Sequence, residues 1–157
     1  MAVNRPSETQ TLRSVERLVT DTLPARWSFR SSREAGKATQ RAGARWTLKA
    51  PGGSTATFIV GVRRALQGPT LDQVLAQLAA FDAIPLVATP YLSPTLRASL
   101  ADRGVSYADS TGNLRLIADE PGLFIERAGA TKDPWPSDET LMSLRGRGAG
   151  CPIRASR

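Results

Sequence analysis

Between residues 7 and 24 the apolar positions Leu12, Val15, Leu18 and Val19 fall three or four apart, and Thr22 continues the same face of an α-helix. Ser7 and Gln10 precede that stripe at the spacing of a capping box, in which the serine hydroxyl serves a free amide and the glutamine reaches back. Pro24 predicts the end of the helix. The period then falls to two. Arg26-Trp27-Ser28-Phe29-Arg30 and Arg45-Trp46-Thr47-Leu48-Lys49 alternate basic or polar residues with large apolar ones, which predicts two strands with one buried face each. Ser31 to Gly43, rich in Gly, Ser and charge, predicts a mobile loop between them. Pro51-Gly52-Gly53-Ser54 reads as a hairpin turn. Ala56 to Val62 is apolar on both faces, as a strand at the centre of a sheet would be.

From Thr70 the helical period returns, with Leu71, Val74, Leu75, Leu78 and Phe81 on one side, followed by the short buried strand Ile84-Pro85-Leu86-Val87-Ala88. That spacing is the spacing of a crossover unit. Ser93 can accept from free N–H groups at a helix start, Pro94 suits the first helical position, and Gly104 can close the helix in a left-handed conformation, which predicts a helix over 94–103. Val105 to Ala108, Asn113 to Ala118 and Gly122 to Arg127 are three further extended pieces, separated by turn residues. The order of elements predicts an α/β or α+β fold, a mixed central sheet flanked by helices on both faces. A domain over 1–128 is expected, and beyond it a Gly-, Pro- and Arg-rich segment over 129–157.

Charge adds a weak pointer to a partner. The 157 residues carry a formal charge of +7, unevenly placed: Arg26, Arg30, Arg33, Lys37, Arg41, Arg45 and Lys49 recur with only Glu34 among them, and Arg145, Arg147, Arg154 and Arg157 crowd the end. Such runs are either a solvated surface or a face for phosphate contact. If the latter, Arg26, Arg30, Arg45, Lys49, Arg145 and Arg147 are the candidate nucleic-acid contacts. Trp27 and Trp46, each between basic neighbours, are either stacking platforms for bases or half-buried core. No stretch is apolar enough for a membrane span, the N-terminus lacks the apolar core of a secretory signal, and Cys151 is the only thiol; a cytoplasmic protein is expected.

Candidate chemistry is thin. The chain has no histidine, which removes the commonest general base, the Ser-His and Cys-His pairings and the usual zinc ligands. No base neighbours Cys151, no phosphate loop of the G-x-x-x-x-G-K-[ST] kind occurs, and Gly146-Arg147-Gly148-Ala149-Gly150 does not sit between a strand and a helix. No cofactor is expected. Asp109-Ser110-Thr111-Gly112-Asn113 could bind a ligand or cation, but an aspartate that accepts amides two residues on, with glycine supplying a positive φ, explains most of it as a self-bonded turn.

Pro90 to Leu116, with Tyr91-Leu92-Ser93-Pro94, Arg97, Gly104, Tyr107-Ala108-Asp109 and Gly112-Asn113-Leu114, resembles a group of actinobacterial helix-turn-helix transcriptional regulators related to AbiEi-type antitoxin regulators. Gly122-Leu123-Phe124-Ile125, Asp133-Pro134-Trp135-Pro136 and Ser143-Leu144-Arg145-Gly146-Arg147 extend it. The resemblance implies a restriction-endonuclease-like sheet followed by a winged helix-turn-helix; Cys151 to Arg157 does not continue as an amphipathic helix, so a truncated or frame-altered member lacking its DNA reader is expected. Catalytic versions of that sheet hold an acid and a D/E-x-K pair on neighbouring strands to bind Mg²⁺. Here Gly61 stands at the carboxylate position and Arg63 at the lysine position, and Arg45 to Ala50 supplies no acid. The expectation is therefore a non-catalytic regulatory or DNA-associated domain, meeting DNA through its phosphates or a protein partner or second copy of itself, with no membrane role. Two alternatives are an Mg-dependent nuclease with a migrated site at Glu16, Asp72 or Asp109, and a structural or dimerising module.

Overall fold

The computed structural model describes residues 5–33, 43–66 and 68–135. Ser7 caps helix α1 (Glu8–Thr22): its hydroxyl accepts from Gln10 N–H, and the Gln10 carbonyl oxygen accepts from Ser7 N–H at 2.9 Å, closing the capping box on both sides. Two strands follow, β1 (Ser28–Arg33) and β2 (Ala44–Lys49), and then β3 (Thr55–Val62). The β2–β3 turn is the expected hairpin, with Gly53 at φ +99 and Ala50 N–H donating to Ser54 O at 2.8 Å. Helix α2 (Gly68–Leu78) crosses to β4 (Ile84–Thr89), and helix α3 (Pro94–Asp102) to β5 (Ser106–Asp109). The chain closes with β6 (Leu114–Ala118) and β7 (Leu123–Arg127).

All seven strands form one sheet in chain order. β1–β2–β3 pair antiparallel, β3–β4–β5 parallel through the two crossover helices, and β5–β6–β7 antiparallel again. The class is α+β with a mixed sheet. Four expectations shift. β1 begins at Ser28 instead of Arg26, because Arg26 takes φ +74 in the turn leaving α1 and Trp27 N–H bonds Pro24 O. It also runs on through Ser31 to Arg33, residues expected in the loop; the rest of that segment, 34–42, lies outside the described residues. The middle of the sheet is β4 instead of β3, since β5, β6 and β7 add beyond it. Phe81 falls past the end of α2, where its N–H closes a turn onto Leu78 O, yet its ring still packs under that helix.

Alternation sorts the side chains into two cores. Leu12, Val15 and Val19 of α1 meet Ala44, Trp46 and Leu48 of β2, Phe58, Val60 and Val62 of β3, and on the far strands Leu114, Leu116 and Leu123. Full burial of each large apolar side chain there stabilises the fold by about 2 kcal/mol. Both ends of the sheet reach this one helix: the Glu16 carboxylate accepts from Ser31, Arg33 and Trp46 on β1 and β2, and Arg127 of β7 donates to Thr22 Oγ1. On the opposite face Leu71, Val74 and Leu78 of α2 and Leu100 of α3 cover Ile59, Val87 and Tyr107, which belong to the middle strands β3, β4 and β5 only.

Past β7 the chain stays attached. Gly129 N–H donates to Asn113 Oδ1 at 2.6 Å, Ala130 N–H to Thr111 Oγ1, and Arg5 bonds both the Asp133 carboxylate and Trp135 O. Trp135, half-buried, is thus held by its carbonyl. No helix among the described residues is long and apolar enough to cross a membrane.

Candidate nucleic-acid interface

Because α2 and α3 cover only the middle of their face, no helix among the described residues lies over the odd-numbered residues of β2 and the even-numbered ones of β1. The pairing fixes their arrangement: Ser28 lies opposite Lys49, Arg30 opposite Thr47, and Ser32 opposite Arg45, while Lys49 and Thr47 meet Thr55 and Thr57 on β3. Arg45 and Lys49 are thus the two diagonal neighbours of Arg30, about 7–8 Å away on a pleated sheet. The result is a strip of three cations and five hydroxyls, all exposed or half-exposed, with no carboxylate among the strand residues that face this side. Such a strip can donate many hydrogen bonds and can accept an anion without a competing carboxylate on the same strands.

Three of the six predicted contacts, Arg30, Arg45 and Lys49, are therefore brought together, while Arg26 sits apart in the turn before β1. Arg145 and Arg147 lie outside the described residues. Sequence reading missed the hydroxyls Ser28, Ser32, Thr47, Thr55 and Thr57; the signal was present, since in each strand they share the two-residue period of the cations. The same period turns the tryptophans the other way. Trp46 is completely buried with its Nε1–H donating to Glu16 at 3.1 Å and its ring edge-on to Phe29, and Trp27 packs on the same core, so Trp46 is no stacking platform.

Gly61 and Arg63, the positions that the resemblance would give to a metal-binding pair, make other contacts. Gly61 faces α2 so closely that a Cβ there would lie 3.2 Å from Leu78 and 3.3 Å from Val74. Arg63 next to it donates to Val62 O and to Gln77 Oε1 of α2, both at 2.7 Å. The three acids considered for a migrated site are each bonded elsewhere: Glu16 to β1 and β2, Asp72 to Arg103 at 2.7 Å, and Asp109 within its own turn. Among the described residues no group of three or more His, Cys, Asp or Glu side chains is placed to hold a metal ion.

Asp109 is the most heavily bonded of these. Wholly buried, it accepts from Thr111 N–H, Thr111 Oγ1 and Asn113 N–H on one oxygen and from Leu92 N–H and Asn113 Nδ2 on the other, all between 2.7 and 3.0 Å. The i+2 bond was the one anticipated; the carboxylate also ties the start of α3 to the β5–β6 turn. A charged group this deep is tolerable only with such complete pairing. Searches against protein-family models, curated proteins and solved structures return no match for the chain.

Proposed function

We propose that this is a non-catalytic DNA-associated domain of the regulator or antitoxin-like class, which grips phosphates with the uncovered strip of β1, β2 and β3. The observation that carries the reading is the set of Arg30, Arg45 and Lys49 interleaved with five hydroxyls on strand positions that carry no Asp or Glu. The endonuclease-like character of the sheet belongs to the same proposal: a scaffold whose carboxylate position, Gly61, has become a helix contact offers packing where a nuclease needs oxygen ligands.

Backbone contacts carry no base identity, so the complex forms on any duplex and weakens with salt. The test is a gel shift over a salt series with the full chain, its Arg30→Glu/Lys49→Glu variant, and Mg²⁺ present in a parallel series. Wild-type binding should fall on a straight log-log line, and the variant should lose about two from the slope. Absence of retardation at low salt removes DNA from the account, and Mg²⁺-dependent strand cleavage by nuclease-free protein removes the non-catalytic half of it.

A further inference from the structure

On the other side of the sheet from that strip, α1 and the β5–β6 turn border a shallow, open cleft of about 450 Å³, lined by Gln10, Arg13, Ser14 and Arg17 of the helix and Ser110 and Thr111 of the turn. We infer that this cleft binds a phosphorylated small molecule of nucleotide size or less, with its phosphate between Arg13 and Arg17. The inference stands apart from the DNA reading, because it uses a helix and a turn instead of strands, the other face of the sheet and none of the same residues.

Arg13 and Arg17 are four apart on one helix, both exposed, and neither makes an ion pair or hydrogen bond among the described residues. Like charges at that spacing destabilise a helix by about 0.2–0.5 kcal/mol, a penalty that a bridging anion would reverse. Two guanidinium groups present ten N–H donors in planar forks, a geometry suited to the three terminal oxygens of a phosphate monoester. Gln10 adds to them: its carbonyl oxygen is engaged by Ser7 N–H, which leaves its NH₂ group as the donor at the cleft.

The opposite wall is rigid and polar. Ser110 N–H is committed to Pro90 O, and its hydroxyl donates only a long 3.3 Å bond to Ser14 Oγ, whose own proton goes to Gln10 O. That weak bond is the one a ligand oxygen would replace. Thr111 is fixed by Asp109 beneath it, through both its N–H and its hydroxyl, so the turn is ordered before any ligand arrives and little entropy is lost on binding. At the far end Leu18 and Asp21 offer an apolar surface and a carboxylate acceptor, which would take the body of the ligand and a hydroxyl or amine on it. The volume lies within the roughly 300–1,000 Å³ range of small-molecule clefts.

The test is a titration of the ¹⁵N-labelled full chain with inorganic phosphate and then AMP at constant ionic strength, followed at the amides of Ser110, Thr111 and Gly112. Saturable shifts at those amides are expected, tighter for AMP, and Arg13→Gln/Arg17→Gln should weaken both by roughly tenfold or more without lowering the thermal midpoint. No saturable shift, or equal binding by the variant, overturns the inference. A diester on DNA offers related chemistry, so the same variant is run in the gel shift. Unchanged DNA binding assigns the cleft to a free ligand, whereas a loss as large as that of Arg30→Glu/Lys49→Glu makes it part of the DNA surface and overturns the small-molecule assignment.

Discussion

The face of the sheet beneath α2 and α3 has two flanks that no helix among the described residues covers, and they differ in how they handle charge. On β6 and β7, Arg115 bonds Glu126 at 2.8 Å and lies 5.2 Å over the Phe124 ring, which is 62% exposed. That flank neutralises its own cation. On β1 and β2, Arg30 and Lys49 stand among hydroxyls, and the strand positions facing the same side carry no acid. The two flanks share backbone geometry and openness, so neither exposure nor strand pairing distinguishes a binding face. What distinguishes it is whether the strands bring their own counter-charge, which is why the β1–β2 flank is the one we assign to phosphate.

The sealed middle between the flanks gives the largest predicted effect. Gly61→Asp would place a carboxylate at the position that the proposed endonuclease-like scaffold assigns to one, but it would press a charge against Leu78 and Val74. Burying an unpaired carboxylate there should cost about 4 kcal/mol or more, a large part of the stability of a domain this size. Urea denaturation measures it. A variant within about 1 kcal/mol of wild type that cleaves DNA with Mg²⁺ would show that the middle is an emptied metal site and not a packed one.

Next in size is the charge reversal on the basic flank, Arg30→Glu/Lys49→Glu, for which DNA affinity should fall by about a hundredfold at low salt with folding intact. The self-compensated flank supplies the counter-experiment. Glu126→Gln keeps a hydrogen-bond acceptor for Arg115 but removes the carboxylate charge, so stability should move by about 0.5 kcal/mol or less while non-specific DNA affinity rises by about twofold. A rise as large as the fall on the other flank would mean that net charge, and not the β1–β2 arrangement, governs binding.

Much of this architecture was legible from residue order, for reasons that are local. The Ser7–Gln10 box, the Pro51–Ser54 hairpin and the Ser93–Pro94 helix start each depend on contacts within a few residues, and each formed as anticipated. The alternation in Arg45-Trp46-Thr47-Leu48-Lys49 likewise told which side chains would be buried. The start of β1 was misplaced because the strand period begins at Arg26, whereas the backbone at Arg26 is still turning away from α1. The cleft was illegible for the opposite reason: Arg13 and Ser110 are separated by nearly a hundred residues, and only the packing of α1 over β4 and β5 brings the helix to the turn. Asp109 lay between these cases, its bond to Thr111 local and its bond to Leu92 not.

The smallest effect is silent at neutral pH and reads the β6–β7 flank electrostatically. Tyr107 sits on β5 between the α2–α3 core and that flank, and its phenol is raised above its ordinary value chiefly by burial, then by the charge of Glu126, with Asp109 adding and Arg97 and Arg115 opposing. In the unfolded chain the phenol loses its proton near pH 10, while the folded protein holds it longer. The unfolded state therefore binds fewer protons above about pH 10, and stability that is complete below that pH declines as pH climbs toward the folded value. Tyr107→Phe should remove this component, so the difference between the two proteins' stability curves is flat through neutrality and opens only in alkali. In the Glu126→Gln background the opening should begin from a smaller rise, because the second cause is gone and burial remains. An undiminished alkaline loss in Glu126→Gln would show that the carboxylate's field does not reach β5, and that the flank's neutrality is a matter of the Arg115 pair alone.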